Sequence, residues 1–526
     1  MPTIHNWNPE DPAAWQRGHA RTAWRNLAVS VPALLVAFSV WMFWSILAVR
    51  MRDAGFPFTP AQLFTLISLA GLSGATLRIP GSFLVSLAGG RNTIAVTTAL
   101  LIVPALGAGI ALGDPSTPFA TFAVLAVLSG IGGGNFASSM ANIPGFFPKR
   151  IAGTALGLNG GLGNLGVSVM QLAIPLVIGT SLFGALGGGP RLTSSGKALY
   201  LQNGALVWVP ILVVLTLLAW FLMDNLPGQD SEPAAVAILK ILGLHLLGLA
   251  VTALAVVVLL RFKLGLPAQV AVLVLTILLC LALLRAIPGR VRVRLAQDFQ
   301  IFRRGHTWSL TFLYLGTFGS FIGFSGALPL LINVVFGKLP GGHVNLNAPR
   351  AMAYAWLGPL VGSLFRPVGG WLSDRWGGAR ITQASFVLMA IGALGAAHYV
   401  ALAQAAPAPE ALFPPFLGLF LLLFVATGLG NGAVFQMVPH AAAPGMAPPT
   451  VGWISAVAAY GSFLVPAVFK LQVDAGAPQR ALYQFTWFYA GCLAVNAWRF
   501  MGRRSFHRRS PAAPALPLPA GTSQAL

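Results

Sequence analysis

Arg78-Ile-Pro-Gly81-Ser-Phe83-Leu84, followed by Gly89-Gly90, superposes without a gap on Arg366-Pro-Val-Gly369-Gly-Trp371-Leu372, followed by Gly377-Gly378. Arginine, glycine, a bulky aromatic, leucine and a double glycine coincide. A second pair keeps nearly the same offset: Ser129-Gly130-Ile-Gly132-Gly-Gly134 against Thr427-Gly428-Leu-Gly430-Asn-Gly432. Self-similarity at a fixed offset marks an internal repeat.

The surrounding composition gives the medium in which the repeat folds. Of 526 residues, 56% are hydrophobic and only 8% charged, and the mean hydropathy is +0.78. This is an all-α polytopic membrane protein. Apolar runs of about 20 residues, read as spans, place helices near 28–50, 60–88, 93–113, 118–145, 151–179 and 204–223. Two more fall near 236–260 and 267–286, and a last group near 307–336, 351–373, 381–404, 412–437, 450–470 and 481–501. Fourteen transmembrane helices are expected. The arginine motifs lie on the second helix of each group of six and the glycine motifs on the fourth. Two pseudo-symmetric six-helix halves, related by an axis along the membrane normal, follow.

The domains expected are a cytoplasmic N-terminal tail (1–27), a first bundle (28–226), an inserted two-helix hairpin with a basic cytoplasmic linker (227–306), a second bundle (307–502) and a disordered Pro- and Ala-rich cytoplasmic tail (503–526).

The formal charge of +21 does not signify nucleic acid, because the basic residues gather in short loops and tails. The N-tail, Arg91, Lys149-Arg150, the run Arg285 to Arg304, Arg375 with Arg380, and Arg499 to Arg509 fall on one side. The positive-inside rule makes that side, and both termini, cytoplasmic. The setting expected is the bacterial inner membrane, with lipid as surroundings and the chain as a monomer. Cys280 and Cys492 lie within apolar runs, which argues for packing rather than a disulfide or metal cluster. His245, His306, His343 and His440 are scattered. No metal site, cofactor or nucleophile–base arrangement emerges, and an enzyme is not expected.

A cation at mid-membrane costs roughly 2.5–3.5 kcal/mol on insertion scales. Arg78 and Arg366 nevertheless sit centrally, whereas the eleven carboxylates lie at the ends of apolar runs or outside them. Repeat-equivalent residues face one another across the central cavity, so the two guanidiniums form a pair. Their planar, bidentate donors suit a flat oxyanion such as nitrate, nitrite, bicarbonate or a small carboxylate. Gly153, Gly157 and Gly161 recur every fourth residue and bare one helix face, allowing close approach or sliding. Asn159 and Asn164, amides within an apolar helix, need partners, and one of them could donate to the anion.

Gly157-Leu-Asn-Gly-Gly-Leu-Gly-Asn-Leu-Gly-Val-Ser-Val-Met-Gln171 resembles the nitrate signature of the nitrate/nitrite porter family (NarK-type) of the major facilitator superfamily. Gly134-Asn-Phe136-Ala-Ser-Ser-Met140, Tyr314-Leu-Gly-Thr-Phe318-Gly-Ser-Phe-Ile-Gly-Phe-Ser325 and Gly430-Asn-Gly-Ala-Val-Phe-Gln-Met437 extend the likeness over both halves. The resemblance implies the major facilitator fold, with the anion held by Arg78 and Arg366. It further implies a hydrogen bond from Tyr314, walls formed by Phe136, Phe318 and Phe38, and Asn164 near the site. Gly163, Gly166, Gly430 and Gly432 join the glycine row as conformational positions. Gly370-Trp-Leu-Ser-Asp374-Arg375-Trp-Gly-Gly-Ala-Arg380 resembles the superfamily's cytoplasmic latch, whose counterpart at Ser82 to Asn92 lacks the aspartate. The hairpin departs from the family's usual twelve helices.

The lack of a mid-membrane carboxylate for a proton relay weakens proton symport, and the family resemblance implies nitrate/nitrite exchange as the favoured mode. Alternatives are a proton-coupled nitrate symporter, or a carrier or channel for another small monovalent anion.

Overall fold

Thr59 starts the helix that carries Arg78. Its side chain accepts from the Gln62 backbone (3.2 Å), the Gln62 side chain accepts from the Thr59 backbone (2.9 Å), and Pro60 fills the first helical position. This reciprocal cap satisfies two donors that the helix would otherwise orphan.

The computed structural model describes residues 7–502 except 194–195, 228–232, 263, 290–291, 294–295, 297–298, 341 and 443–445. The expected C-terminal tail, 503–526, lies outside the described residues. The long helices are α1 (Pro12–Asp53), α2 (Pro60–Ala88), α3 (Gly90–Leu112), α4 (Phe119–Asn142), α5 (Lys149–Val177), α6 (Asn203–Leu222), α7 (Ala234–Arg261), α8 (Leu266–Ala286), α9 (Gly305–Phe336), α10 (Leu357–Trp376), α11 (Gly378–Ala405), α12 (Phe413–Ala441), α13 (Pro449–Asp474) and α14 (Gln479–Asn496). Among the described residues, 12 helices are long and apolar enough to cross a membrane. The two rods outside that set are α10, which carries Arg366, Asp374 and Arg375, and α14, which begins with Gln479-Arg480. Polar residues lower their hydropathy below that of their neighbours.

The first helix begins earlier than expected. The stretch before residue 28 is polar by composition, yet it is amphipathic: Arg17, Arg21 and Arg25 face out, while Ala23 and Leu27 pack on Ile143, Phe146 and Phe147. Arg25 pairs with Asp224 at 2.5 Å, and Asn26 bonds the same carboxylate at 3.1 Å. The first and last helices of the first half are thereby joined.

The repeat motif has a backbone cause. Gly89 (φ 82°) and Gly377 (φ 88°) end α2 and α10 in the left-handed region, which favours glycine. The second glycine of each pair starts the next helix against the fourth of its half: Gly90 abuts Asn142, and Gly378 abuts Met437. Gly130 likewise lies on Ser73 and Gly74 as Gly428 lies on Gly362 and Phe365. Side chains at these crossings would force the helices apart.

The halves meet where α2 packs on α13, α1 on α9 and α5 on α10. The hairpin α7–α8 lies outside this seam. Gly248 of α7 sits against Leu77 and Pro80, and Ile79, Leu84 and Ala88 share an apolar cluster with Ala237, Ile241, Leu244 and Cys280. Both cysteines are buried and unbonded to each other.

Candidate functional site

Arg78 is 0% exposed and Arg366 7%. Burial this deep requires that each guanidinium be compensated. Arg78 Nε donates to the Gly133 carbonyl (2.9 Å) and Nη1 to the Ser455 carbonyl (3.1 Å). The first acceptor belongs to α4 of its own half, the second to α13 of the other. Four rings surround the cation, with centroids 4.6 Å (Phe136), 5.1 Å (Phe318), 5.3 Å (Trp41) and 5.9 Å (Phe38) from its central carbon. Their faces supply negative quadrupole density without consuming a donor. Nη2 is left without a partner.

Arg366 is held more lightly. Its Nη2 donates to the Tyr314 hydroxyl (3.1 Å), Phe435 lies 4.9 Å from its central carbon, and Nη1 has no partner. Tyr314, bonded to Arg366, stacks on Phe318, whose ring also flanks Arg78, so the two cations lie along one aromatic wall.

A continuous run of rings joins the cations. Phe136 stacks on Phe318 (6.1 Å), Phe318 on Tyr314 (5.4 Å, 6° between planes), and Tyr314 on Phe435 (4.5 Å). The near-parallel pair arises in a π-helical turn, Leu315–Gly319, inserted between Tyr314 and Ser320. Such turns re-aim side chains and recur at functional sites.

The two asparagines separate. Asn159 accepts from Ser30 (3.1 Å) and donates to Ser139 (2.8 Å), closing a polar cluster inside the first half. Its amide nitrogen also points to the Met140 sulfur at 3.7 Å. Asn164 is 1% exposed with neither amide atom bonded. On the same face one turn earlier, the missing side chain of Gly160 would lie 3.8 Å from the Phe136 ring. One turn later, Ser168 donates to the Trp356 carbonyl of the second half (2.9 Å). Asn164 lies on α5 between these two positions.

The glycine row divides too. Gly163 packs on Leu34, Gly166 on the Leu35 carbonyl, Gly430 on Thr317 and Gly432 on the Arg366 carbonyl, so these four permit close packing. Gly157 and Gly161 meet nothing within 4 Å, nor does Gly370 one turn beyond Arg366. Static packing, one of the two expectations for this row, does not explain them. Gly153 lies on α5, but its surroundings are not described. In the latch-like segment Asp374 is exposed, Arg380 is exposed, and Arg375 stacks over Trp371 at 4.1 Å.

Phe435, Trp41, Gly133 and Ser455 escaped the sequence reading. Phe435 had a signal, since it follows the small-residue motif of α12 much as Phe136 follows that of α4. The two carbonyl acceptors had none, because any residue supplies a carbonyl.

The Major Facilitator Superfamily model matches residues 29–466. Among curated relatives, "Nitrate/nitrite transporter NarU" of Escherichia coli K12 is 35% identical, covering 96% of this chain and 97% of that protein. "Probable nitrate/nitrite antiporter NarK2" of Thermus thermophilus is 36% identical, over 97% of each. Among solved structures, the xylose transporter XylE of E. coli in a partially occluded inward-open conformation superposes with TM-score 0.57 at 12% identity, covering 92% of this chain and 98% of XylE. That likeness concerns the fold.

Proposed function

The chain belongs to the major facilitator superfamily, within its nitrate/nitrite transporters, and on that premise we propose that it carries nitrate and nitrite by alternating access. The anion is held between Arg78 and Arg366. The supporting observation is a pair of buried guanidiniums, one from each half, each with an unpartnered Nη donor and flanked by the same run of stacked rings. A planar monovalent oxyanion can accept from both donors while its face lies along Phe136 and Phe318. Asn164 supplies a further amide, and Tyr314 fixes Arg366.

The empty chamber carries a formal +2 and the loaded one +1. Like charges in a low dielectric repel strongly, so the empty carrier resists closing, whereas a bound anion offsets the repulsion and lets the halves reorient. Exchange of one anion for another follows. The name of the Thermus relative, an antiporter, supports the same mode. We further propose fourteen spans, α10 and α14 included, with both termini on the cytoplasmic face of the inner membrane and the monomer as transporting unit.

Counterflow in proteoliposomes tests the exchange. Labelled nitrate uptake is expected to rise on loading the vesicles with nitrite and to ignore an imposed proton gradient. Undiminished, proton-driven uptake into nitrite-free vesicles would replace exchange by symport.

A further inference from the structure

The helix α13 is interrupted beside Arg78. Its first part ends at Ala458 and its second starts at Gly461. Between them the bonds tighten to three-residue steps, Tyr460 to Val457, Ser462 to Ala459 and Phe463 to Tyr460, while Ala459 reaches Ser455 at a long 3.3 Å. The loosely engaged Ser455 carbonyl is the one that accepts from Arg78 Nη1. From the same interruption the Tyr460 hydroxyl crosses to Thr76 Oγ1 at 2.9 Å, two residues from Arg78 on α2. Tyr460 is 2% exposed and Thr76 0%.

The direction of that bond is fixed. Thr76 Oγ1 spends its only proton on the Leu72 carbonyl (2.9 Å), so Tyr460 must donate and Thr76 accept. Nearby, Gly71 lies against the Ser462 carbonyl so closely that no side chain fits. Three contacts across the seam thus cluster within eight residues of α2, two of them hydrogen bonds.

We infer that Thr76 and Tyr460 are positioning residues that hold Arg78 in register with the second half, so that anion affinity depends on a hydroxyl pair outside the chamber. This rests on Arg78 being an anion ligand. Without the tie, α2 shifts relative to the Ser455 carbonyl, and the Arg78 guanidinium loses its second anchor.

The test measures nitrate KM, maximal exchange rate and melting temperature in Tyr460→Phe, Thr76→Val, Thr76→Ser and the Tyr460→Phe/Thr76→Val double variant, with Arg78→Lys alongside. Tyr460→Phe should raise KM by roughly three- to tenfold, the range one neutral hydrogen bond is worth, with little change in melting temperature. Thr76→Val should raise it more and lower the melting temperature, because it leaves a buried hydroxyl proton without an acceptor. Thr76→Ser should restore wild-type KM, and the double variant should melt higher than Thr76→Val alone. Wild-type KM in both Tyr460→Phe and Thr76→Val, with exchange by Arg78→Lys cut about tenfold or more, overturns the tie and leaves the anion site standing. Wild-type transport in Arg78→Lys overturns the anion site itself. Should Thr76→Val fail to fold, Tyr460→Phe and Thr76→Ser decide the question by themselves.

Discussion

Arg78 commits two nitrogens to carbonyls and Arg366 commits one to a phenol, leaving each a single buried Nη for the anion. Lysine preserves the charge but not the fork. Arg78→Lys also replaces three spaced nitrogens by one, so Gly133, Ser455 and the anion would have to share a single ammonium. Either Arg→Lys change is therefore expected to cut nitrate exchange by about tenfold or more, the loss of one charge-assisted hydrogen bond. Near-normal uptake by either variant would count against shared capture. Tyr314→Phe keeps the ring stack and removes only the hydroxyl, so affinity should weaken by about 1–3 kcal/mol. Binding measured by nitrate-dependent thermal shift would show it. Asn164→Ala should weaken affinity while Asn159→Ala should instead lower stability, since only Asn159 has partners to lose. Helix composition offered both amides alike, and only the family resemblance set Asn164 near the site. They differ by five positions, and rotation about one helix axis decides which faces the chamber.

Among helices, the glycine row predicts two classes of variant. Gly166→Ala and Gly432→Ala would drive a methyl into the Leu35 and Arg366 carbonyls. Overpacking of this kind costs about 1–3 kcal/mol, visible as a lowered melting temperature. Gly157→Ala and Gly161→Ala meet open space and should leave stability unchanged. The same face contacts the second half at Ser168, while side chains added at Gly161 or Gly157 would enter open space. If the opposite state closes that gap, these two alanines slow exchange without lowering the melting temperature. Full exchange rate in both would make the row a bystander. The π-helical turn at Leu315–Gly319 was not legible, because its five residues fit an α-helical pattern equally well. Its effect is to stack Tyr314 on Phe318. The early start of α1 was legible only in retrospect, since three arginines masked an amphipathic face.

Across the whole molecule, the hairpin α7–α8 adds an even number of helices and covers an apolar face of α2. Replacing 234–286 by a short linker exposes Ile79, Leu84 and Ala88 to lipid, which tolerates them. Such a deletion should still fold and exchange nitrate, with any affinity change traceable to Leu77 and Pro80 beside Arg78. Complete loss of insertion would make the hairpin a structural necessity. The chain by itself determined the membrane setting, the paired halves and the equivalence of Arg78 and Arg366. Hydropathy and internal likeness are properties of residues in order along a line. Only the tertiary structure decided which donors stay free, which rings join the cations and which hydroxyl crosses from one half to the other. Those outcomes depend on how each helix turns about its axis and where its partner stands, and neither is written in the spacing of any one segment.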